Sequence, residues 1–397
     1  MQIQKILSKQ IYASVAFITL FFCSNVNGNS DTFDQYKQQY QKYRTDQKEQ
    51  FQNYKQEQQK AFQEYKKELQ KYWENPLLNS KKELVSYSKD KKSRTIIDFE
   101  RNQLTLQTVA ANKKEAEKKL ALSLAKAATY NTHDFYKADE LEQKINKIES
   151  KKRVKRAKVD LKPVLAPLFF KEKPTKKALV KFVKKEITTK KITVKSSLKQ
   201  KNKNIYTLNI KLPNNATIKR SKIYYKDVKT EAKRELLPLS LIFAIMHSES
   251  CFNPMARSHI PAYGLMQIVP KTAGIDAYYY LYKQKRLVGS SYLYNAKNNI
   301  KMGSAYLHIL YYRYLKDIKD PKSRLYCTIA AYNTGAGNVS RAFVDSYNTH
   351  KAAKVINKLT PDEVYAKLLQ DLRYEEPKKY LKNVTKRMKI YQKIYES

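Results

Sequence analysis

The chain has 397 residues and is strongly basic, with 79 Lys and Arg residues against 36 Asp and Glu residues. The formal net charge of +43 predicts a polyanionic partner, a description that nucleic acid and a cell wall bearing carboxylates both fit. The length allows two domains and a linker. Five scattered His residues without metal-ligand spacing argue against a metal site, and we expect no cofactor.

The N-terminus predicts export. A lysine-bearing start precedes an apolar run over residues 11–23, which has the length of a signal-peptide core and is short for a membrane span. Small residues near Gly28 favour cleavage after it, so residues 1–28 are predicted to be a signal peptide. Cys23 could alternatively accept a lipid, although Phe22 stands where a lipoprotein signal has a small residue. Attachment to a membrane is therefore left open.

Residues 29–76 predict a polar helix that ends at Asn75-Pro76. Its aromatic residues recur at eleven-residue steps, which keeps them on one face of a helix. The two series are Tyr40, Phe51, Phe62 and Trp73, and Tyr43, Tyr54 and Tyr65. The helix could act as a spacer or pack on the following domain, and we favour packing.

Residues 77–229 predict an α+β accessory domain. Alternating polar and apolar residues indicate two strands over 93–100 and 103–108, and further strands over 191–195 and 204–212. The composition of residues 113–128 is typical of a helix.

This region also holds about half of the net charge. Residues 151–230 contain 26 Lys and Arg residues against 4 Asp and Glu residues. Such a run is often a solvated face, and it would also attract an anionic surface. We expect no nucleic-acid partner, because no recognised binding module with interleaved aromatic residues is present.

The apolar run over residues 236–246 predicts a buried helix with Glu249 at its end, just before Asn253-Pro254. A carboxylate at the end of an apolar helix is partly desolvated, which favours its protonated form. Glu249 is therefore a candidate general acid, with an ordinary surface glutamate as the alternative. The helix that contains this run is predicted over residues 233–248. Further helices are predicted over residues 300–315, 323–332, 338–343, 352–359, 361–369 and 377–391.

Glu249 is part of a longer motif set. It comprises Glu249-Ser250, Phe252-Asn253-Pro254, Ala256, Ser258, Gly264-Leu265-Met266-Gln267, Ala331-Tyr332-Asn333, Gly335-Ala336-Gly337 and Tyr380-Leu381 followed by Val384. These motifs resemble the signature of the lysozyme-like lytic transglycosylases. Residues 93–108 and 205–214 resemble the accessory domain of the membrane-bound lytic murein transglycosylase C family. Phe22-Cys23 departs from that family, whose members are typically lipoproteins.

The resemblance implies an α+β protein overall, with a mostly helical lysozyme-like catalytic domain over residues 230–397. It implies a monomeric, periplasmic enzyme that acts on peptidoglycan glycan strands, with attachment to the outer membrane left open. Glu249 would protonate the glycosidic oxygen and then accept the C6 hydroxyl proton, which gives a 1,6-anhydro-MurNAc end. The residues that it implies for substrate binding are Ser258, Met266, Gln267, Tyr332, Asn333 and Tyr380.

Two other functions remain open at this stage. Glycosidases usually use two carboxylates, and the motifs supply Glu249 alone, since Asp276 has no evident route to it. A second carboxylate in the cleft would favour a muramidase that uses water, and a non-catalytic wall-binding protein is a further alternative. Cys251 and Cys327 are expected to be small buried residues, with a disulfide between them as the other option.

Overall fold

The computed structural model of the chain describes residues 52–150, 154–259 and 261–396. The predicted signal peptide, Cys23 and the first part of the N-terminal helix lie outside these residues. The chain divides into one compact unit that ends at residue 59 and a second that begins at residue 60. All contacts described below belong to the second unit. Among the described residues, none of the helices combines the length and the apolar character that crossing a membrane requires.

Helix α1 covers residues 52–70 and ends earlier than Asn75, so its predicted end is wrong. The reason is Trp73, which leaves the helix to bury its indole and donates a hydrogen bond from Nε1 to the Lys91 carbonyl at 2.7 Å. Tyr65 packs edge-on against Tyr87 with ring centroids 6.5 Å apart. Packing on the following domain is confirmed for Tyr65 and Trp73, while Tyr40, Tyr43 and Phe51 lie outside the described residues.

The first part of the second unit contains a five-stranded antiparallel sheet. Its strands, in spatial order, are β1 (Glu83–Tyr87), β2 (Ser93–Asp98), β3 (Gln103–Ala110), β6 (Asn204–Lys211) and β5 (Ile192–Ser196). Helix α2 (Lys113–Thr129) covers one face, where its Leu120 and Leu124 are buried with Leu104, Leu106 and Leu208 from the strands. The predicted hairpin, the two later strands and this helix are confirmed.

Among its described residues, this region contains seven further elements. They are α3 (Thr132–Ala138), α4 (Glu140–Ser150), β4 (Val154–Lys155), α5 (Ala166–Phe169), α6 (Lys176–Thr189), α7 (Ala216–Ile223) and α8 (Tyr225–Glu235). The following region is mostly helical, as predicted. It comprises α9 (Leu239–Ser250), α10 (Ile275–Tyr282), β7 (Leu287–Val288), α11 (Ser290–Leu293), α12 (Ala296–Ile309), α13 (Pro321–Thr334), α14 (Ala336–Val344), α15 (Thr349–Ile356), α16 (Pro361–Asp371) and α17 (Glu375–Tyr395). The α+β class is confirmed.

The helix predicted over residues 233–248 is in fact two helices. The chain leaves α8 at Leu236, which has a left-handed backbone with φ of 54°, and α9 begins after Pro238. Proline lacks a backbone N–H and is tolerated at the start of a helix but not in its interior, so Pro238 separates α8 from α9. The apolar periodicity of the sequence continues across this break and therefore did not reveal it. The short helices α10 and α11 were not predicted.

The sheet-bearing and helical regions share one compact unit and a buried polar junction. Glu142 of α4 accepts hydrogen bonds from Arg257 Nη1 at 2.8 Å and from the Tyr294 hydroxyl at 2.9 Å. Glu149 accepts a hydrogen bond from the Ser290 N–H at 3.0 Å, and β4 pairs in parallel with β7. The regions are therefore fixed to each other by buried hydrogen bonds and by strand pairing. The predicted boundary between residues 229 and 230 remains a prediction.

Candidate active site

Glu249 lies in the last turn of α9, as the sequence predicts. The preceding residues 241–246 are buried, which anchors the helix in the core. The chain then turns sharply, because Cys251 and Phe252 both have left-handed backbones with φ of 50° and 65°. Such angles are uncommon for residues with a side chain and are held here by the surrounding packing.

The Ser250 hydroxyl fixes this turn to the Gly264-Leu265 segment. Its Oγ donates to the Leu265 carbonyl at 2.8 Å and accepts from the Phe252 N–H at 3.2 Å. Gly264 has φ of 75°, and a Cβ there would collide with the Leu293 carbonyl and with Asn299. A side chain at position 264 would therefore obstruct this turn.

Asn299 of α12 completes the support, and the sequence motifs did not reveal it. Its Oδ1 accepts from the Met266 N–H at 2.8 Å, and its Nδ2 donates to the Tyr263 and Leu293 carbonyls at 2.8 and 2.9 Å. This fully buried side chain binds two backbone groups of the loop over residues 263–267 and one of α11, and it therefore fixes the position of Met266 and Gln267.

The Glu249 carboxylate is buried and weakly paired. The residue is only 6 % exposed, and its nearest ionic partner is Lys81, whose Nζ lies 4.0 Å from Oε2. Burial raises the pKa of Glu249 above its usual 4.5, while Lys81 opposes the rise and Glu376 adds to it. Raising the pKa of a carboxyl by desolvation makes it a proton donor near neutral pH.

Two tyrosines from different helices adjoin this carboxylate. The Tyr380 hydroxyl of α17 is buried beside Glu249 without a hydrogen bond of ordinary geometry. The Tyr332 hydroxyl of α13 donates to the Met266 carbonyl at 2.8 Å. Burial, followed by the nearby Glu249 charge, raises the pKa of both phenols, so both stay protonated. The structure thus brings Glu249, Tyr332 and Tyr380 together.

Lys81 comes from the chain segment that precedes β1, far from the motifs in sequence. Residues 253–257, which follow α9, hold this segment in place. Asn253 Nδ2 donates to the Ser80 and Lys81 carbonyls, each at 3.4 Å. The Arg257 N–H donates to the Ser80 carbonyl at 3.2 Å. A surface lysine outside any motif gives no signal in the sequence, so this residue could not have been found there.

A second carboxylate lies nearer than the sequence suggested. Glu376, in the first turn of α17, has Oε1 3.9 Å from the same Lys81 Nζ that approaches Glu249. The two carboxylates can thus be no more than about 8 Å apart, which overlaps the separation of about 6.5–9.5 Å in inverting glycosidases. The side chain of Glu376 is 74 % exposed, whereas that of Glu249 is 7 % exposed. Asp276, the other acid considered from the sequence, accepts a hydrogen bond from the Tyr314 hydroxyl and is not paired with Lys81.

The remaining predicted binding residues differ in accessibility. Met266 is fully buried and packs against Gly303, so its side chain offers no surface to a sugar in this structure. Gln267 has φ of 49°, and its Nε2 donates to the Ala256 and Gly264 carbonyls. Its Oε1 is buried without a hydrogen-bond partner in the described chain, which leaves it as an open acceptor.

Ser258 and Asn333 lie at more open positions. Ser258 is half-buried and accepts a hydrogen bond from the Ala262 N–H at 3.1 Å. It lines a cleft of about 590 Å³ that also includes Lys81 and His259 and that extends to the β2–β3 turn. Asn333 is half-buried in the last turn of α13, one residue after Tyr332.

Other sequence expectations concern cysteines and metals. Cys251 and Cys327 are both buried and unpaired, so the interpretation as small buried residues is confirmed. Within residues 52–150, 154–259 and 261–396, the structure contains no group of three or more His, Cys, Asp or Glu side chains placed to hold a metal ion.

Comparison with known proteins supports the interpretation of this region. Residues 227–355 match the family described as Transglycosylase SLT domain. This part of the chain is therefore similar to transglycosylase SLT domains.

Curated relatives narrow the match. The chain is 40% identical over 192 residues to the membrane-bound lytic murein transglycosylase C of Sodalis glossinidius. The aligned residues make up 48% of this chain and 52% of that protein. The chain is 42% identical over 190 residues to the same protein of Photorhabdus laumondii, where the aligned residues make up 47% and 52%. The chain thus spans about half the length of the curated relatives it matches. The resemblance based on the motifs is confirmed, and the resemblance of residues 93–108 and 205–214 to the accessory domain stays a prediction.

Among solved structures, the lytic transglycosylase Slt of Pseudomonas aeruginosa is 24% identical with a TM-score of 0.33. The matched residues make up 46% of this chain and 28% of the Slt chain.

Proposed function

We propose that the chain is a peptidoglycan lytic transglycosylase that cleaves the β-1,4 bond between MurNAc and GlcNAc without water. The observation that supports this most is Glu249, a buried carboxylate with a raised pKa, held on a rigid helix end between two protonated tyrosines. A group with these properties can donate a proton to a leaving-group oxygen at neutral pH. The names of the curated relatives support the same reaction.

In the proposed reaction, the Glu249 carboxylic acid protonates the glycosidic oxygen as the bond to the MurNAc anomeric carbon breaks. The substrate's own acetamido oxygen stabilises the anomeric centre. The Glu249 carboxylate then removes the proton of the MurNAc C6 hydroxyl, whose oxygen forms the new bond to the anomeric carbon. The product is a 1,6-anhydro-MurNAc end, and Glu249 is returned to its protonated form.

The neighbouring residues have corresponding roles. Tyr380 and Tyr332 line the buried surroundings of the carboxylate, and the Tyr380 hydroxyl beside it can donate a hydrogen bond to Glu249 once it is charged. The open Oε1 of Gln267 is suited to accept from an amide N–H of the substrate. Ser258 and Asn333 supply polar groups at the more exposed edge. Met266 contributes through its backbone, whose carbonyl positions Tyr332.

Glu376 supports a second candidate, a muramidase that hydrolyses the same bond. Its carboxylate is close enough to Glu249 to activate a water molecule. It is less suited to this task, because an exposed side chain paired with Lys81 is not held in one position.

Muropeptide mass spectrometry distinguishes these functions. Purified peptidoglycan is incubated with the wild-type chain, with Glu249→Gln and with Glu376→Gln. We expect 1,6-anhydro-MurNAc ends from the wild type and from Glu376→Gln, and none from Glu249→Gln. Reducing MurNAc ends that disappear in Glu376→Gln would establish the hydrolase. Wall binding without any release would identify a non-catalytic protein.

The proposed location is the periplasm, which contains the substrate. The curated relatives are named membrane-bound, which supports association with the outer membrane. Peptidoglycan glycan strands are the proposed partner.

A further inference from the structure

A lysine-rich surface lies apart from the groups that act on the glycan. It is formed by α6, by β5 and by the loop that connects β5 to β6, and it covers residues 176–203. This segment contains 11 Lys residues, no Arg and a single acid, Glu186. All of these lysines except Lys203 are exposed.

Helix α6 presents its lysines away from the protein. Phe182, Val183 and Ile187 are half-buried and pack against the core on one side. The exposed Lys177, Lys181, Lys184 and Lys185 recur at helical spacing on the other side. Since α6 has no fully buried residue, it lies on the surface as an amphipathic helix with a cationic outer face.

The positive charge of this surface is almost uncompensated. Within the part of the chain that the structure describes, these lysines form a single ion pair, between Lys195 Nζ and Glu74 at 4.0 Å. At that distance and with both side chains exposed, the pair is weak. Nine exposed lysines outside this pair therefore remain available to an external anionic partner.

Exposed apolar side chains are interspersed with the lysines. Val180 on α6 is 58 % exposed, Val194 on the edge strand β5 is 56 % exposed, and Leu198 in the following loop is 68 % exposed. Lysines next to exposed aliphatic residues are typical of surfaces that enter the headgroup region of a bilayer. Nucleic-acid surfaces use arginine and exposed aromatic rings, whereas this segment has one aromatic residue, Phe182, which is half-buried.

We propose that the lysine-rich surface binds a lipid bilayer with anionic headgroups. The lysines supply electrostatic attraction to the surface, and Val180, Val194 and Leu198 enter the interface between headgroups and acyl chains. This surface goes beyond the cleavage reaction and does not depend on it, because binding to vesicles is measured without turnover. Failure of one proposal is therefore distinguishable from failure of the other.

The test is sedimentation of the full chain with vesicles of phosphatidylcholine, with and without phosphatidylglycerol. Binding is measured in about 0.1 M and about 1 M NaCl, between which the screening length falls from about 10 Å to about 3 Å. We expect binding to the anionic vesicles alone and a large decrease in high salt. Equal binding to the neutral vesicles would overturn the proposal.

Matched variants locate the binding surface. Lys177, Lys181, Lys184 and Lys185 of α6 are all replaced by Gln in one variant. The exposed Lys379, Lys382, Lys386 and Lys389 of α17 are all replaced by Gln in the control. Both variants lose the same charge and keep helix-forming residues. We expect the α6 variant to weaken vesicle binding at least about tenfold and the control to change it less than about threefold.

A third variant tests the apolar contribution, and competing polyanions test the partner. Val180→Ser with Leu198→Ser should remove the binding that persists in high salt and leave the thermal unfolding temperature unchanged. Equal losses in the α6 variant and in the α17 control would overturn the proposal. Tighter binding of the same surface to single-stranded DNA or to isolated peptidoglycan than to anionic vesicles would also overturn it.

Discussion

Glu142 and Glu249 are both buried glutamates, yet their surroundings differ in a way that separates a structural charge from a reactive one. Glu142 lies at the junction of the two regions, 1 % exposed, with Arg257 at 2.8 Å and the Tyr294 hydroxyl at 2.9 Å. Glu249 is 6 % exposed, and its nearest cation, Lys81, lies at 4.0 Å. The first carboxylate has a close cation within the fold, while the second has only a distant one.

The difference follows from what each site stabilises. A buried ion pair with good geometry favours the charged form of both partners. A buried carboxyl with a distant, partly exposed cation favours the protonated form, which a proton donor requires. The two sites are also linked through Arg257, which pairs with Glu142 by its side chain and holds Ser80 by its N–H. The structural charge therefore supports the segment that presents Lys81.

The largest expected effect is the loss of turnover in Glu249→Gln. General acid–base groups typically contribute between 10² and 10⁴ in rate, so we expect release of muropeptides to fall by about 10³-fold. The fold should be unchanged, because Gln has nearly the same shape and adds no buried charge. Initial rates of solubilisation of purified peptidoglycan measure the loss, and circular dichroism checks the fold. Activity within tenfold of the wild type would show that Glu249 is not the proton donor.

Glu142→Gln should give the largest loss of stability. Removing one partner of a buried ion pair leaves the other charge uncompensated, which typically costs 3–5 kcal/mol, so we expect the free energy of unfolding to fall by about 3 kcal/mol. Urea denaturation measures this change. The matched control is Glu117→Gln, which removes an exposed Lys113–Glu117 pair and should cost less than about 0.5 kcal/mol. Equal effects of the two changes would mean that Glu142 is not a compensated buried charge.

The sequence was sufficient to predict the element that carries Glu249, because a continuous apolar run and a fixed motif determine both the helix and its end. The strands near residues 93–108 were also predictable, since their alternation reflects one buried face. These are local patterns, which can be recognised in the sequence without knowledge of the tertiary structure.

Contacts between distant segments could not be predicted in this way. Lys81, Asn299 and Glu142 reach the site or its supports from separate elements, and none belongs to a repeating pattern. Periodicity also cannot show whether a motif side chain faces a substrate or the core, as Met266 illustrates. The break at Leu236 was missed because apolar spacing continued across Pro238.

Lys81→Met tests the electrostatic setting of Glu249. Lys81 lowers the pKa of the Glu249 carboxyl, so loss of this cation, 4.0 Å away, should raise that pKa further. Since the protonated form is the acid, the alkaline limb of the pH profile of kcat/KM should move to higher pH, and Lys81→Arg should restore it. The control is Lys82→Met, because Lys82 lowers the pKa of Glu249 less than Lys81 does. An equal shift in the control, or none in either variant, contradicts a specific role of Lys81.

The smallest expected effect is on the pH dependence of stability, where the sign distinguishes Glu249 from a compensated carboxylate. The native pKa of Glu249 is raised above its usual 4.5, so the native state holds its proton more tightly than the unfolded state does. The stabilisation from this proton is complete below pH 4.5 and is lost as the pH rises through the native pKa. Glu249→Gln has no such term, so its free energy of unfolding relative to the wild type should increase over this range, by about 1.4 kcal/mol for each unit by which the pKa is raised. Urea denaturation of both proteins at several pH values between 4 and neutrality measures the difference. A difference that decreases with rising pH would indicate a native carboxylate that is stabilised in its charged form, and would contradict the raised pKa of Glu249.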